Sequence, residues 1–476
     1  MIPVLLTTDV LVWLLVAAVG GYFVYVRNQP HLLVPWRRVT RSAPGMSALV
    51  VLAVFVAVGL LDSLHYRSAL ERQGEKGETA YATEAMSVFD KLAAPLRDRR
   101  ERTYSAPFAT RAYSRETLEI PSPDGRIRQV REYPRLIWGG AHLANESEQG
   151  RDILTRALAG LGIALLGWIA LAAAVVARAA RASRSTLAGA WRAVWRAETA
   201  TPWWAILLAT GLLLALAGPT LALCTRYHVF GTDKVGQDVL YLALKSIRTG
   251  LVIGTVTTLV VLPFAVSLGI MAGYFRGWVD DVIQYVYTTI NSIPGILLIA
   301  AAVLLMQVYI DRHPELFPTS AQRADLRLLF LCIILGVTGW TALARLLRGE
   351  ALKLRELEYI QAAQAFGARD THIIARHILP NVMHIVLISL VLDFSGLVLA
   401  EAVLSYVGVG VDPTMISFGT MINAARLEMS REPVVWWALA AAFVFMFVLV
   451  LAANLFADAV RDAFDPRVRV GGLASA

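Results

Sequence analysis

Residues 231–240, GTDKVGQDVL, contain two glycines separated by four residues, which is the glycine spacing of a phosphate-binding P-loop. A P-loop continues with Lys, which reaches the terminal phosphates, and with Ser or Thr, which binds Mg²⁺. Here Gln237 and Asp238 follow Gly236, and a carboxylate at the hydroxyl position repels phosphate. The preceding residues form a long apolar run instead of the strand that leads into a P-loop. We therefore predict that this chain neither binds nor hydrolyses ATP.

The two cysteines, Cys224 and Cys332, lie at or inside apolar runs. Such isolated thiols have neither the spacing of a disulfide framework nor that of a metal site, and no HExxH motif occurs. The sequence therefore predicts buried thiols, no metal site, no catalytic residue and no cofactor held by this chain.

The composition of the 476 residues is that of a membrane protein, because 57% are hydrophobic and 17% are charged, whereas soluble domains are about 25% charged. No basic run is interleaved with aromatic residues that could stack on bases, so the net charge of +8 does not indicate nucleic-acid binding. A spanning helix needs about 20 mostly apolar residues. Nine segments of the chain are candidates: 10–26, 43–61, 157–177, 203–223, 249–274, 283–310, 328–344, 382–404 and 433–457.

The distribution of arginines predicts the orientation of these spans, because short loops rich in Lys and Arg remain in the cytoplasm. The loops before the second and the fourth span carry several arginines and almost no acidic residue. Both are predicted inside, which places the N-terminus outside, the C-terminus inside, and residues 62–156 and 224–248 outside. The first span has no basic residue before Arg27, so we interpret it as a retained anchor and not as a signal peptide.

Residues 62–156, called the polar segment below, are mixed in charge and form either a small folded cap or an extended loop. Residues 142–158 are similar to residues 228–244: in both stretches His is followed eight residues later by Gly, and then by Asp, a β-branched residue and Leu. Either the N-terminal region contains a degenerate partial repeat of the start of the later spans, or two juxtamembrane helices agree by chance.

Residues 348–381, RGEALKLRELEYIQAAQAFGARDTHIIARHILPN, form a charged connection of 34 residues between two predicted spans, called the charged loop below. Four of its residues have the spacing of one helical face: Tyr359, Ala362, Ala363 and Phe366. Small residues between two aromatic residues suit close packing against a partner. Gly367 then supplies the left-handed end of a helix, and a second short helix is predicted over 369–378, up to Pro380. The alternative is an amphipathic pair lying on the membrane surface.

The sequence QAAQAFG…ARHILPN in the charged loop resembles the EAA loop of permease subunits in binding-protein-dependent ABC importers. The matching positions are Gln361, Ala362, Ala363, Gly367, Leu379 and Pro380. Two further stretches, GTDKVGQDVL…SIRTGLVIG and LAEAVLSYVGVGVDPTMISFGTMI, resemble outer segments of the dipeptide and oligopeptide branch of that family. The first of them, called the glycine motif below, is marked by Gly231, Asp233, Gly236 and Asp238.

This resemblance implies an all-α polytopic protein of the bacterial cytoplasmic (inner) membrane, with a type I importer core of six helices over 203–465 and three extra spans before it. The remaining segments are two N-terminal spans in 1–61, the polar segment, a third span with a basic linker in 157–202, and a tail in 466–476. The chain is then the non-catalytic, pore-forming subunit of an ATP-driven importer for di- or oligopeptides.

The partners that the resemblance implies are a homologous second permease subunit, an extracytoplasmic solute-binding protein and two cytoplasmic ATPases, which hold ATP and Mg²⁺. The residues expected to dock on the ATPase are Tyr359, Gln361, Ala362, Ala363, Phe366, Gly367, Leu379 and Pro380. The chain departs from the family pattern where Gln361 replaces the usual Glu, where Gln237 replaces the usual Arg, and in residues 1–202, which exceed the usual single leading helix.

Four residues are candidates for the translocation path: Asn291, Pro294, Asp393 and Glu401. Pro294 is expected to kink its span, and Asn291 either takes up a freed carbonyl or faces the pore. Carboxylates inside spans usually face a cavity or a partner, and Asp393 could meet the amino terminus of a peptide. Glu401 also matches the EAxLS position of the family, which favours a structural role. A hydrogen-bonded contact between helices is the alternative for both carboxylates.

Two other functions fit parts of the sequence. A secondary transporter would need paired half-helices or inverted repeats and has no use for a loop of the EAA type. A membrane-anchored sensor or assembly protein would use the polar segment as its ligand domain, but it leaves the charged loop unexplained.

Overall fold

The computed structural model describes residues 2–69, 81–82, 85–121, 127–317 and 319–464. Within these residues nine helices are long and apolar enough to span a membrane, and each overlaps one of the nine predicted segments. The predicted number of spans and the helical fold class are therefore confirmed.

The elements up to residue 195 are β1 (Ile2–Val4), α1 (Thr7–Arg27), α2 (Pro30–Val39), α3 (Ala43–Asp62), β2 (His65–Arg67), β3 (Met86–Ser87), α4 (Val88–Leu92), α5 (Ala94–Arg97), β4 (Glu116–Pro121), β5 (Ile127–Glu132), α6 (Gln149–Ser183) and α7 (Leu187–Trp195). The later helices are α8 (Trp203–Leu223), α9 (Val239–Phe275), α10 (Gly277–Ser292), α11 (Gly295–Arg312), α12 (Ser320–Gly339), α13 (Thr341–Arg355), α14 (Glu358–Ala365), α15 (Asp370–Ile373), α16 (Leu379–Val407), α17 (Phe418–Glu428) and α18 (Trp437–Phe464).

The chain divides into two compact units. The first comprises Met1–Pro3, Thr40–Thr249 and Ile416–Ala452, and the second comprises Val4–Val39, Gly250–Met415 and Ala453–Ala476. The boundaries predicted at residues 61, 156 and 202 do not coincide with these units and stay predictions about the order of segments along the chain.

In the first unit, α6 and α8 pack with their backbones in close approach. A Cβ on Gly160 would lie 2.4 Å from the carbonyl oxygen of Gly218, so larger residues would separate the helices. The indole N–H of Trp168 donates to the carbonyl oxygen of Leu207 at 2.7 Å. Small residues at such crossings let apolar helices associate in a membrane, where the hydrophobic effect does not drive their contact.

The described part of the polar segment is folded, so the cap and not the extended loop is the correct alternative. β2 pairs with β3 and β4 pairs with β5, both antiparallel, and Ser87 begins α4 with a capping box. Phe89, Leu96 and Tyr104 are buried in one cluster with Tyr227 and Trp437. The polar segment therefore shares its hydrophobic core with residues that follow α8 and begin α18.

In the second unit, α1 is held on α12 by a carboxylate at its N-terminus. Asp325 accepts hydrogen bonds from the hydroxyl of Thr7 (2.5 Å), from the backbone N–H of Thr8 (3.2 Å) and from the Thr8 hydroxyl. The N-terminus of a helix favours a negative charge. Elsewhere in the second unit, Trp36 of α2 packs edge-on against Phe464 at the end of α18, with ring centroids 5.5 Å apart.

Two spans differ from the predicted form. Pro294 was expected to kink one continuous span, but α10 ends at Ser292 and α11 begins at Gly295, so the span is interrupted. Pro294 is the residue before α11, where its missing N–H costs no helical hydrogen bond.

The predicted helix end at Pro380 is wrong, because residues 370–407 form one rod with a π-helical turn at Ile374–Ile378. A π-helical turn changes the hydrogen-bond register and so accommodates the proline.

Candidate functional site

The charged loop packs on the rest of the second unit through one face of α14, called its inner face below. Ile360 and Ile373 are fully buried in one cluster with Tyr274 of α9. The amide of Gln364 donates to the Tyr274 hydroxyl at 3.1 Å, and this hydroxyl donates to Asp370 at 2.7 Å. These contacts attach both short helices to the end of α9. The sequence interpretation missed them, although Ile360 and Gln364 have the i, i+4 spacing of a second helical face.

The outer face of α14 is uncovered. Phe366 is 91% exposed and Tyr359 is 45% exposed, and Ala362 is exposed between them. Ala363, the fourth member of the predicted face, is partly buried against the core cluster. Exposed apolar residues that share one face form a contiguous patch, which is typical of an interaction surface.

Gly367 ends α14 in the left-handed conformation that its position predicted, with φ +76°. Its N–H donates to the carbonyl of Gln364 (2.9 Å), and the N–H of Ala368 donates to the carbonyl of Ala363 (3.0 Å). These two bonds are those of a Schellman motif. A Cβ on Gly367 would meet no atom within 4 Å, so the backbone conformation, and not crowding inside the chain, requires glycine.

The other predicted docking residues lie at both ends of this short structure. The side-chain amide of Gln361 donates to the carbonyl of Glu356 at 3.2 Å, a bond that the usual Glu, as a carboxylate, could not donate. Leu379 packs against the core cluster, and Pro380 is exposed. Asn381 donates to the Tyr359 hydroxyl at 3.2 Å, which joins the start of α16 to α14.

Two ion pairs outside the predicted set support the charged loop. Arg348 of α13 binds both oxygens of Asp280 at 2.6 Å, and Arg276 binds Glu356. A bidentate arginine–carboxylate pair fixes orientation as well as distance. No spacing rule links residues so far apart in sequence, so these pairs could not be predicted.

Both glycines of the glycine motif receive the backbone of the polar segment. A Cβ on Gly236 would lie 1.8 Å from the carbonyl oxygen of Glu101, and a Cβ on Gly231 would lie 2.4 Å from that of Ser105. Their φ angles are +74° and +69°, which side chains rarely tolerate. The two glycines whose spacing resembles a P-loop are therefore the positions at which the backbone of the polar segment packs closely against the glycine motif.

The two carboxylates of the glycine motif hold its turn. Asp233 accepts a hydrogen bond from the N–H of Gln237 at 2.8 Å. Asp238 accepts one from the N–H of Leu240 at 2.9 Å and so caps α9. The second oxygen of Asp238 lies 2.7 Å from Nδ1 of His228. The motif is thus the N-terminal cap of a spanning helix.

His228 is buried between two carboxylates that belong to different segments. Its Nδ1 faces Asp238, and its Nε2 lies 3.4 Å from Glu101, which also accepts bonds from the backbone N–H groups of residues 137–139. Although burial lowers the pKa of His228, its hydrogen bonds with Asp238 and Glu101 raise the pKa to about 9. Protonated His228 donates to both carboxylates and joins the polar segment to the glycine motif.

Both of the similar stretches contain a His–Asp contact, through Nε2 of His142 in the first and through Nδ1 of His228 in the second. His142 lies 2.8 Å from Asp152, and His228 lies 2.7 Å from Asp238, in each case ten residues further along the chain. The Tyr227 hydroxyl also donates to Asp152 at 2.8 Å. A shared side-chain contact at equal spacing favours a partial repeat over chance agreement.

The candidate path residues lie in different surroundings. Asn291 accepts a hydrogen bond from the Thr341 hydroxyl at 3.1 Å, and both Asn291 and Pro294 are exposed. Glu401 is buried and accepts a bond from the Ser405 hydroxyl at 2.7 Å, which favours the structural role considered for it.

Asp393 lies midway along α16 and is exposed. It borders a cavity of about 220 Å³ that is otherwise lined by apolar residues, two glycines and Thr258. All of these residues belong to the second unit. A carboxylate at this depth is costly in lipid, so this face of α16 requires water or protein beside it.

Residues 265–470 match the family model of the binding-protein-dependent transport system inner membrane component. The oligopeptide transport system permease protein OppC of Mycobacterium tuberculosis is 32% identical over 242 residues, which are 51% of this chain and 77% of that protein. The glutathione transport system permease protein GsiD of Pectobacterium atrosepticum is 32% identical over 51% of this chain and 73% of its own length. A chain from an inward-facing structure of the MetNI methionine ABC transporter is 17% identical over 48% of this chain and 98% of its own, with a TM-score of 0.37.

Proposed function

The chain belongs to the family of binding-protein-dependent transport system inner membrane components, and from this membership we propose that it is a pore-forming permease subunit of an ATP-driven importer of small peptides. The names of its relatives, which transport oligopeptides and glutathione, support the substrate class. The chain supplies no catalytic group of its own. ATP and Mg²⁺ are held by partner ATPases.

The observation that carries this proposal is the exposure of Phe366 beside a short helix that buried contacts anchor from its other face. Burial of one such side chain contributes about 1.5–3 kcal/mol, so an ATPase groove that covers Phe366, Tyr359 and Ala362 gains affinity without reordering α14. The contacts of Gln364 and Ile360 on the inner face hold α14 while it is bound.

The same contacts provide a route for mechanical coupling. Tyr274 links α14 to the end of α9, and residues 370–407 form one helical rod that begins in the charged loop. When the ATPases close on ATP, a displacement of α14 therefore moves the start of α16 and the end of α9 together. These are the movements that switch a permease between inward and outward states.

A second permease subunit covers the face of α16 that carries Asp393. The residue is 14 positions from either end of α16, or about 21 Å at 1.5 Å per residue, so its carboxylate lies at mid-membrane. Between two subunits this face borders the path, where Asp393 can pair with the ammonium group of a peptide.

We place the N-terminus and the polar segment outside and the charged loop inside, as the arginine distribution indicates. The ATPases then meet α14 in the cytoplasm, where ATP is available. The solute-binding protein meets the polar segment on the opposite side of the membrane.

Copurification tests the docking of the ATPase. The chain is purified from cells that express its whole transporter, and the retained ATPase is quantified for Phe366→Ser and for Trp278→Ser. Trp278 is 77% exposed at the start of α10, outside the charged loop. Phe366→Ser is expected to reduce retention about tenfold, which is the effect of about 1.4 kcal/mol, and Trp278→Ser is expected to leave it unchanged. Equal retention by both variants, or no ATPase with the unaltered chain, contradicts the proposal.

A further inference from the structure

The polar segment presents a surface of arginines and aromatic rings that the proposed function has not used. Its members are Arg99, Arg102, Arg115, Arg135, Tyr133 and Trp138, together called the arginine surface below. The side chains of Arg102 and Arg135 are 68% and 51% exposed, and Tyr133 and Trp138 are 43% and 45% exposed. Arginine, tyrosine and tryptophan are the residue types enriched at the energetic centres of protein interfaces.

Two members of the arginine surface, Arg102 and Arg135, border a depression. A cavity of about 150 Å³ is lined by Arg102, Glu116 and Arg135 and by the exposed Ile137. Arg102 lies 3.6 Å from Glu116, which connects the loop before β4 to its first residue. A concave centre with charged walls offers a partner both an apolar contact and defined positions for its own charges.

The charge of this surface is positive. Arg102 and Arg135 have acidic neighbours in Glu116 and Glu146. Arg99 and Arg115 lie instead over the rings of Trp138 and Tyr133, at 6.0 Å and 5.4 Å, and among the described residues neither lies within ion-pair distance of a carboxylate. The guanidinium of Arg99 also donates to the carbonyl of Thr225. Both groups are thus positioned by uncharged partners, which leaves their positive charge uncompensated.

The backbone beneath the arginine surface is fixed before any partner arrives. Glu101 accepts hydrogen bonds from the N–H groups of Ile137, Trp138 and Gly139 at 2.8–3.0 Å, and its own N–H donates to Gly236 at 2.9 Å. A preordered surface binds without the cost of ordering it. Movement of the bound partner is also passed directly to the cap of α9.

We propose that the arginine surface is the docking site for an acidic face of the extracytoplasmic solute-binding protein, an inference that rests on the proposed function. Anionic lipid headgroups carry the same negative charge as an acidic protein face. Glu116 at the wall of the depression repels such headgroups, whereas a protein partner can place a cation opposite Glu116. Docking here places the partner on the segment that is bonded to the glycine motif.

The test measures binding of the solute-binding protein encoded beside the gene of this chain to the complete transporter in nanodiscs of phosphatidylcholine. Arg102→Ala with Arg115→Ala is expected to raise the Kd about tenfold and to flatten its dependence on salt. The control, Lys91→Ala with Arg151→Ala, removes two exposed cations of the polar segment outside the arginine surface and is expected to change the Kd less than about twofold. The double lysine variant, Arg102→Lys with Arg115→Lys, is expected to recover part of the loss.

Three results would overturn the inference. An unchanged Kd for the double alanine variant, while the unaltered transporter binds, excludes the arginine surface and leaves the proposed function intact. A defect that appears only in nanodiscs with anionic lipid assigns the surface to headgroups. Failure of the unaltered transporter to bind the protein at all, together with loss of ATPase copurification, contradicts the inference and the proposed function together.

Discussion

The carbonyl oxygen of Glu101 lies where Gly236 would carry a Cβ, because the two atoms would be 1.8 Å apart. The N–H of Glu101 also donates to the carbonyl of Gly236 at 2.9 Å. Gly236 of the glycine motif thus packs backbone to backbone against Glu101, which is 135 positions earlier in the chain. The polar segment is therefore part of the structure that begins α9 and is not an appendage to it.

Gly236→Ala is expected to destabilise the polar segment by about 2–5 kcal/mol. A left-handed backbone costs a residue with a Cβ about 1–2 kcal/mol, and displacing the Glu101 backbone adds the cost of overpacking, about 1–3 kcal/mol. The measurement is thermal unfolding of the detergent-solubilised chain, with trypsin cleavage at residues 97–102 as a local reporter.

The matched control is Gly408→Ala, because Gly408 has φ +87° and no atom within 4 Å of an added Cβ. This variant carries the backbone strain alone, so its expected loss is about 1–2 kcal/mol. If the two variants unfold at the same temperature and resist trypsin equally, the close approach at Gly236 has no energetic weight.

The stability of the polar segment is expected to fall between pH 7 and pH 9.5. The pKa of His228 is raised from its ordinary 6.5 to about 9 by Asp238 and Glu101 against the opposing effect of burial. A group with a raised pKa in the folded state contributes stability that is fully present below pH 6.5 and is lost as the pH rises through 9. His228→Gln should unfold more readily at pH 7 and should show a flatter profile in this window. An equally steep profile in the variant would assign the pH dependence to other groups.

The position of the helices could be predicted because apolar runs of spanning length leave no other stable structure in a membrane. The left-handed end at Gly367 was also predictable, since glycine after a periodic helix is a local signal. The continuity of the rod through Pro380 was not predictable, because it depends on a π-helical turn that no sequence rule marks.

The contacts that hold the site together were largely hidden in the sequence. Glu101, His228 and Asp238 meet because the polar segment folds back on the glycine motif, and no periodicity relates residues more than 100 positions apart. Gln364 shows the same limit. It resembles a solvent-facing residue of α14, yet it is bonded to Tyr274, so it cannot serve as a neutral control in experiments on the charged loop.

Gly367→Val is expected to reduce ATPase copurification and substrate-stimulated ATP hydrolysis at least about tenfold while leaving expression near normal. Valine at φ +76° strains the end of α14 by more than about 1–2 kcal/mol, and it adds bulk next to the exposed Phe366. The comparison is Gly277→Val, since Gly277 has φ +56° and equally open surroundings at the start of α10. Equal activity of the two variants would show that the end of α14 is not at an ATPase interface.

The proposed orientation is tested by thiol labelling. Cys at Lys91, an exposed position of the polar segment, is expected to react with membrane-impermeant reagents from outside, and Cys at Lys353, whose side chain is 72% exposed, from inside. Ser122, another position in the polar segment at which a cysteine could be introduced, lies outside the described residues. The native Cys224 and Cys332 are buried and are replaced by Ala as a background. Reaction of both introduced cysteines from one side contradicts the orientation, whatever the number of spans.

Asp393→Asn is expected to remove a preference for peptides with a free amino terminus. The substitution keeps the size of the side chain and its hydrogen-bonding capacity but removes the charge that an ammonium group would meet beside the 220 Å³ cavity. A partly desolvated ion pair of this kind accounts for about 1.4 kcal/mol, or a factor of about ten. In reconstituted vesicles, the ratio of transport rates for a free tripeptide and its N-acetylated form should therefore fall about tenfold, with both peptides supplied at concentrations that saturate the solute-binding protein. ATPase copurification should not change, because Asp393 is 26 residues beyond Gly367 on the far part of the rod. If transport of both peptides falls by the same factor, Asp393 holds the two permease subunits together instead of meeting the substrate, and a loss of the subunit pair on gel filtration would show it directly.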